Sequence, residues 1–295
     1  MEKKAFRLQK VIQKFPGFQL GPLDLELDPG VVMGYIGPNG SGKTTTIHCM
    51  VGLLKTHSGS IEIFGRPNNP YKSDWKLDVG YVGDKHVFYE KWSAEKNLKF
   101  VSRFYPNWSD TKALELVKRF RLPLHKRAKD LSSGNRVKLS LISALAHSPR
   151  LLLLDEPTSG LDPLIRSELL DELFEVLKDG ERTIFYSTHI LADINRLVDE
   201  LCFLDEGAIL LRTSKEELMS RWRKISFKMP GSQQVFDAAI RHHHEGNLHQ
   251  LVSYNLEKTL SHLKRLKATD IQEFRLSIDE VAVFIMKEGK SVAND

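Results

Sequence analysis

The sequence predicts an α/β protein built around a parallel sheet, and two observations lead to that prediction. Short, continuously apolar segments recur along the chain, as expected of strands that are buried on both faces. Helical segments separate these strands, and alternation of strand and helix is the pattern of a parallel sheet. Strands are predicted at residues 31–36, 151–154, 183–187 and 201–204, and one intervening helix at Pro163–Leu177.

Three segments depart from this alternation. Near the N-terminus, Leu23, Leu25 and Leu27 alternate with acidic residues, which is the pattern of a half-buried antiparallel strand. A long insert is helical in character, and the last part of the chain has the mixed pattern of a small α+β unit. We therefore predict a first domain over residues 1–222, with the helical insert at about 86–148, and a second domain over 223–295. Helices in the insert are predicted at 94–104, 111–120 and 135–146.

The composition indicates a cytoplasmic protein. None of the apolar runs approaches the ~20 residues that a bilayer-crossing helix needs, and the basic N-terminus lacks the apolar segment of a signal peptide. The two cysteines, Cys49 and Cys202, provide no disulfide framework and are typical of a reducing compartment. The net charge of +5 fits phosphate ligands, an anionic membrane, nucleic acid or an unremarkable surface. Charge alone therefore identifies no partner.

A phosphate-binding loop follows the strand predicted at residues 31–36. It matches the pattern G-x-x-x-x-G-K-[ST] in full, with the residues Gly37, Pro38, Asn39, Gly40, Ser41, Gly42, Lys43 and Thr44. Glycines let successive backbone N–H groups face a phosphate, and the following helix adds its dipole. Lys43 would reach the β- and γ-phosphates, the Thr44 hydroxyl would bind Mg²⁺, and Thr45 would join the nucleotide contacts. A glycine-rich turn with a chance lysine is the alternative, and the flanking strand and helix disfavour it.

Two adjacent acids, Asp155 and Glu156, end the strand predicted at residues 151–154. Open α/β sheets bind their ligands at the carboxyl ends of strands. Asp155 would hold Mg²⁺ through water, and Glu156 would act as the general base on the attacking water. A strand end that meets solvent would explain the acids alone, but the complete phosphate loop favours the functional interpretation.

Two further segments extend the predicted site. Ser132, Ser133 and Gly134 form a turn before a predicted helix, where a hydroxyl and free N–H groups can bind an anion. Alone, this turn would be an ordinary N-cap; its position between the phosphate loop and the acidic strand favours a second anion site. His189 follows the strand predicted at 183–187, where its ring is placed to contact a γ-phosphate.

The order of these motifs, with the segment Ser159, Gly160, Leu161, Asp162 after the acids, resembles the nucleotide-binding domain of ABC transporters. The resemblance covers about residues 1–220. It implies a P-loop NTPase fold, in which a RecA-like core sheet carries an antiparallel β subdomain and an inserted helical subdomain. It also implies an ATPase in which two copies meet head to tail. Each ATP would lie between the phosphate loop of one chain and the 132–134 turn of the other.

The resemblance assigns further roles and partners. Asp162 would communicate across the dimer, and His189 would act as the γ-phosphate switch. An aromatic residue near the N-terminus would stack on adenine, with Phe15 preferred and Phe18 second. The insert would face a separate membrane permease, which would hold the chain at the inner face of the cell membrane. The dimer would be a homodimer or a heterodimer with a paralogous ATPase, and no nucleic acid partner is expected.

Finer features resemble one branch of this family. Residues 104–108 and 276–281 are similar to segments of the ATPases of ABC-2-type exporters in Gram-positive bacteria, the YtrB-like members in particular. The predicted function is therefore MgATP hydrolysis that drives export through the permease. Two alternatives stay open: a non-transport soluble ABC ATPase, and a regulatory subunit that hardly hydrolyses ATP.

The sequence departs from the family pattern at three positions. Asp84 stands where the family has a glutamine that helps to complete the Mg²⁺ shell. Aspartate can also bind Mg²⁺, but it brings a negative charge towards the γ-phosphate. Ser133 replaces a glycine, which would strain the backbone if that position needs φ > 0. Asn135 replaces a glutamine, and we expect little effect because Asn tolerates unusual backbone angles.

Two conspicuous segments receive structural interpretations. Adjacent histidines rarely converge on one ion and no second shell of acids is readable, so we disfavour a metal site at His242, His243, His244 and His249. The basic segment 221–228 is interpreted as a solvated interdomain linker rather than as a contact with lipid or nucleic acid.

Overall fold

The computed structural model describes residues 3–69, 74–177, 182–190, 195, 198–230 and 236–292. The chain forms two compact units, Met1–Leu197 with Leu204–Ile209, and Val198–Phe203 with Leu210–Asp295. The domain boundary after residue 222 stays a prediction.

Strands and helices follow one another along the described chain. The strands are β1 (Phe6–Phe15), β2 (Phe18–Leu27), β3 (Val32–Ile36), β4 (Ser58–Ile63), β5 (Arg66–Pro67), β6 (Val79–Val82), β7 (Leu151–Asp155), β8 (Thr183–Thr188), β9 (Glu200–Asp205), β10 (Ala208–Ser214), β11 (Arg223–Lys228), β12 (Ala239–Glu245), β13 (Leu248–Ser253) and β14 (Thr269–Arg275). The helices are α1 (Lys43–Met50), α2 (Ala94–Val101), α3 (Asp110–Arg119), α4 (Ser133–Leu145), α5 (Pro163–Leu177), α6 (Lys215–Arg221), α7 (Leu256–Arg265) and α8 (Ile278–Val292). None of the helices within the described residues is both long enough and apolar enough to span a bilayer.

The antiparallel pattern near the N-terminus is confirmed. β1 and β2 pair antiparallel, and their sheet has the order β2-β1-β4-β5. Leu23, Leu25 and Leu27 are buried, while the alternating Asp24 is exposed. Phe15 pairs with Phe18 at the hairpin end, so the tight turn places both candidate adenine aromatics side by side.

The predicted parallel sheet is confirmed, and its pairing decides where the functional loops lie. Its strand order is β10-β9-β3-β8-β7-β6. β8 pairs parallel with β3 on one side and with β7 on the other. All residues of β7 and β8 are buried, which explains the apolar runs at residues 151–154 and 184–186. Because parallel strands end at the same edge, the loops after β3, β7 and β8 meet there.

The helical insert contains α2, α3 and α4, each beginning at a serine cap. The hydroxyls of Ser93, Ser109 and Ser132 accept hydrogen bonds from the backbone N–H three residues later. The first helix is shorter than its prediction, because α2 ends at Val101 and a 3₁₀ turn continues over Ser102–Phe104. Three helices were predicted here, and three are present in the described residues of this segment.

The C-terminal unit contains an antiparallel sheet with the order β12-β13-β11-β14. Ile225 and Phe227 of β11 are fully buried and pack with Leu251 and with Leu263 of α7. The interpretation of residues 221–228 as a solvated linker is therefore wrong. Apolar and polar residues alternate in this segment, and the apolar side chains of this central strand point into the core. The basic residues between them made the alternation difficult to recognise.

The buried side-chain amide of Asn97 holds the backbone of the segment that leads into α2. Asn97 Oδ1 accepts a hydrogen bond from the Tyr89 N–H (2.9 Å), and Asn97 Nδ2 donates to the Ser93 carbonyl (3.0 Å) and to the Tyr89 carbonyl (3.3 Å). The side chain is only 3% exposed, so water cannot readily replace these bonds.

We expect Asn97→Ala to destabilise the insert by about 1–3 kcal/mol, because buried backbone groups would lose their partners. Hydrogen exchange should accelerate at the Tyr89 amide in particular. Glu95→Ala, an exposed change on the same helix, is the control and should leave that amide protected. An unchanged exchange rate in Asn97→Ala would contradict the role given to this side chain.

Candidate functional site

The phosphate loop joins β3 to α1 and leaves the start of the helix open. Gly42 precedes α1 with φ 111°, and no side chain caps the helix there. A Cβ on Gly37 would lie 2.3 Å from the Leu204 carbonyl oxygen, so only glycine fits at that position. The helix start thus offers backbone donors and the positive end of its dipole to an anion.

A cavity of about 530 Å³ lies at this loop. It brings together much of the predicted site, and its lining residues are Phe15, Phe18, Asn39, Gly40, Gly42, Lys43, Thr44, Thr45, Asp84, Glu156 and Ser159. The rings of Phe15 and Phe18 stack with centroids 6.4 Å apart, so an apolar wall faces the polar loop. Ser159, which the sequence marked only as part of a motif, is an additional lining residue.

Lys43 is held at the loop by three acceptors. Its Nζ donates to the carbonyl oxygens of Gly37 (2.7 Å) and Pro38 (3.0 Å), and it lies 2.9 Å from Glu156 Oε1. The side chain is only 4% exposed. A buried ammonium needs such partners, and a carboxylate supplies the negative charge here.

The carboxylate of Glu156 contacts two side chains, the ammonium of Lys43 and the ring of His189. Its second oxygen, Oε2, lies 2.8 Å from His189 Nδ1, and its Oε1 contacts Lys43. The residue adopts a left-handed conformation with φ 46°, which costs about 1–2 kcal/mol outside glycine. A hydrogen bond from its N–H to the Ser187 carbonyl (3.1 Å) helps to hold the backbone in that conformation.

Asp155 is fully buried beside the loop. Its Oδ1 accepts a hydrogen bond from the Ser187 hydroxyl at 2.6 Å, whereas its Oδ2 is buried without a partner among the described residues. Burial raises the pKa of this carboxyl, and the neighbouring hydroxyls of Ser187 and Thr44 partly oppose that effect.

These oxygens suit a hard divalent cation. An orphaned carboxylate oxygen beside the Thr44 hydroxyl is the donor type that Mg²⁺ prefers. Within the described residues, no three side chains of His, Cys, Asp or Glu are grouped to hold a metal by themselves. Mg²⁺ would therefore also need phosphate or water ligands, which is its usual mode of binding with nucleotides.

Ser187 is the functional residue that the sequence analysis missed. Its hydroxyl donates to Asp155, and both its carbonyl and its hydroxyl accept from the Glu156 N–H. One residue of β8 thus positions both Asp155, the last residue of β7, and Glu156, which follows it. The signal was present, because a serine stood at the end of an otherwise apolar buried strand, where a polar group needs a partner.

The predicted anion-binding turn at residues 132–134 does not line this cavity, and neither does Asp162. Ser132 caps α4, and Asp162 Oδ1 accepts from the Ile165 N–H at the start of α5 (3.1 Å). Ser133 is the first residue of α4 and has no left-handed φ, so its replacement of glycine creates no backbone strain. A Cβ on Gly134 would lie 2.7 Å from Ile165 Cγ2, which explains the retained glycine. Contact of this turn with the nucleotide of a second copy stays a prediction.

The histidines of the C-terminal unit bond to one another. His242 Nε2 lies 2.9 Å from His249 Nδ1, and His249 Nε2 lies 3.1 Å from the Met229 carbonyl, to which it donates. The two rings are stacked with their planes 10° apart. These contacts already engage both ring nitrogens of His249.

Comparisons with known proteins show which proteins this chain resembles. A protein-family model described as ABC transporter matches residues 20–159. The bacitracin transport ATP-binding protein BcrA of Bacillus licheniformis is 34% identical over 77% of this chain and 76% of its own length. The ABC transporter ATP-binding protein YtrB of Bacillus subtilis is 30% identical over 92% of this chain and 93% of its own length. A solved ATP-binding subunit of an ABC transporter superposes with a TM-score of 0.64 at 27% identity, over 73% of this chain and 92% of that one.

The ion pair between Lys43 and Glu156 predicts a measurable competition. A phosphate that binds this loop as predicted would displace the carboxylate from the ammonium, so we expect Glu156→Gln to bind ADP at least about fivefold more tightly, which corresponds to ~1 kcal/mol. Titration of a fluorescent ADP analogue measures this affinity. His189→Ala, which leaves the pair with Lys43 in place, should bind ADP as the unchanged protein does. Equal affinities for Glu156→Gln and the unchanged protein would mean that the pair does not compete with nucleotide.

Proposed function

The chain belongs to the family of ABC transporter ATP-binding proteins, and on that premise we propose that Lys43, Glu156 and His189 hydrolyse MgATP to drive export through a separate membrane permease. Membership in this family makes the chain the ATP-binding, ATP-hydrolysing subunit of an ABC transporter. The roles of individual residues, the direction of transport and the partner subunits belong to the proposal.

The contacts of Glu156 carry the assignment of the catalytic base. Its carboxylate touches both the phosphate-loop lysine and His189. When the triphosphate replaces the Glu156 carboxylate at Lys43, that carboxylate becomes free to accept a proton from water. The water oxygen then forms a bond to the γ-phosphorus as the bond to the β,γ-bridging oxygen breaks, which yields ADP and phosphate. Lys43 stabilises the charge on the phosphates, and His189 orients the carboxylate and contacts the γ-phosphate.

Mg²⁺ fits beside these residues. Thr44 and Asp155 would hold it, with Asp84 of the same cavity as a further oxygen ligand. When bound, the ion would neutralise phosphate charge and polarise the phosphoryl oxygens.

The adenine ring is assigned to the aromatic wall of the cavity. Phe15 is the first choice for the stacking platform because it is 38% exposed at the hairpin end. Phe18 stacks against it and lines the same cavity, so it remains the second choice.

A dimer would complete the site. The turn at residues 132–134 presents the exposed hydroxyls of Ser132 and Ser133 at the start of α4. We assign this turn to contact with the nucleotide of a second chain. Asp162 would communicate across the interface between the two chains. The second chain is an identical copy or a paralogue. The permease would hold the dimer at the inner face of the membrane, and residues 104–108 and 276–281 support the exporter branch.

The decisive experiment compares steady-state MgATP hydrolysis of the unchanged protein with that of Glu156→Gln. Removal of the base should lower turnover by at least a hundredfold while binding persists, and the mutant should accumulate as an ATP-bound dimer in size-exclusion chromatography with light scattering. Glu206→Gln is a matched control, because Glu206 also has a left-handed φ of 46° but an exposed side chain outside the cavity. Full turnover by Glu156→Gln would overturn the assignment of the base.

Asp84 decides between an active ATPase and a regulatory subunit. Its charge in the cavity should strengthen Mg²⁺ binding and repel metal-free ATP, so Asp84→Gln should raise the Mg²⁺ concentration for half-maximal turnover about fivefold. The same change should tighten binding of ATP in the presence of a chelator. Asp74→Asn, which changes an exposed carboxylate elsewhere, should alter neither quantity. A large gain in turnover by Asp84→Gln would instead favour the regulatory function for the unchanged chain.

A further inference from the structure

We propose that the outer face of α2 binds the anionic surface of a lipid bilayer directly. This basic-aromatic face consists of Trp92 just before the helix, Lys96 and Lys99 of α2, and Arg103 and Phe104 of the 3₁₀ turn that continues the helix. The inference goes beyond ATP hydrolysis and does not depend on which residue is the catalytic base.

The helical insert accounts for the net positive charge of the protein. Residues 86–148 contain 13 lysines and arginines against 5 acids, a net charge of +8, whereas the whole chain has only +5. The rest of the protein is therefore slightly acidic. An excess of this size on one segment directs it towards a polyanionic surface.

The helix itself separates a buried side from a basic side. Ala94, Asn97 and Leu98 are buried. Lys96, Lys99 and Arg103 are exposed, and their spacing of three and four residues places them on one side of a helix.

Lys96, Lys99 and Arg103 have no carboxylate partner within ion-pair distance in the described part of the chain. Two other basic residues of the insert do form ion pairs. Arg136 pairs with Glu90 at 2.7 Å, and Arg119 pairs with Glu172 at 3.1 Å. Seven further basic residues of the insert also lack an ion pair among the described residues, namely Lys91, Lys118, Arg121, Lys126, Arg127, Lys129 and Lys138. The basic-aromatic face differs from these residues in the aromatic rings that lie beside its cations.

Aromatic side chains interleave with these cations. Lys96 Nζ lies 4.4 Å from the centre of the Trp92 ring, and Trp92 stacks on Tyr89. Phe104 is 62% exposed and contacts Phe100 edge to face. Exposed aromatic rings beside long basic side chains are the composition of helices that lie at the headgroup level of a membrane.

A lipid surface fits this face better than a protein segment does. An apolar cavity of about 620 Å³ lies in the same insert, and its lining includes Phe88, Phe100 and Tyr105. A segment of a permease would bind in that cavity. Neither the three cations nor Phe104 lines that cavity. Flexible cations without fixed partners suit a fluid layer of anionic headgroups, which requires no preset geometry.

The test is flotation of the full-length protein with vesicles, without nucleotide. Vesicles of phosphatidylcholine mixed with phosphatidylglycerol should bind the protein, and vesicles of phosphatidylcholine alone should not. Each basic residue near an anionic surface strengthens binding about fivefold, so K96Q/K99Q/R103Q should bind on the order of a hundredfold more weakly. The matched control K258Q/K264Q/K267Q removes three exposed lysines from the C-terminal unit and should bind as the unchanged protein does.

Two further measurements separate this proposal from its alternatives. Phe104→Ser keeps every charge but removes the apolar side chain, and it should weaken vesicle binding about tenfold. MgATP hydrolysis by both α2 variants should match that of the unchanged protein, which separates a failure of this proposal from a failure of the catalytic assignment.

Three results would overturn the proposal. These are equal binding to both kinds of vesicle, unchanged binding by the α2 triple variant, and flotation only with vesicles that contain the permease. Tighter binding of a single-stranded oligonucleotide than of anionic vesicles, lost in the same triple variant, would assign the face to nucleic acid and would also overturn it.

Discussion

The candidate site depends on the parallel pairing of β8 with both β3 and β7. That pairing places the ends of three strands at one edge of the sheet and brings the phosphate loop, the two acids and His189 together. Ser187 of β8 holds both acids in position, because its hydroxyl donates to Asp155 and its carbonyl accepts from the backbone N–H of Glu156. Residues that are more than a hundred positions apart in the sequence become neighbours through this one strand.

Much of this arrangement could be predicted because its signals are local. Strands buried on both faces are mostly apolar, so β7 and β8 were recognisable from short runs of sequence. The phosphate loop was equally recognisable, since Gly42 with its left-handed φ and Gly37 with its close backbone contact admit no other residue easily. The N-cap that was the alternative interpretation of the 132–134 turn is also local, because the Ser132 hydroxyl needs only to reach an N–H three residues later.

The remaining features depend on contacts that no local pattern contains. β11 was mistaken for a linker because its basic side chains dominated its composition, although Ile225 and Phe227 alternate between them. The dual role of Ser187 becomes visible only when β7 lies beside β8. The left-handed backbone of Glu156 and its ion pair with Lys43 are likewise products of tertiary structure. Roles in a second chain, such as that given to the 132–134 turn, require an assembly and stay predictions.

The ion pair of Lys43 with Glu156 has a consequence for what the resting site admits. The ammonium is buried and already neutralised by a carboxylate that the chain itself holds at high effective concentration. Free inorganic phosphate brings little beyond the charge that it would displace, and it has no base to stack on the aromatic hairpin. A nucleoside triphosphate brings both more charge and a ring. We therefore expect the nucleotide-free site to favour a nucleoside triphosphate over small anions such as inorganic phosphate.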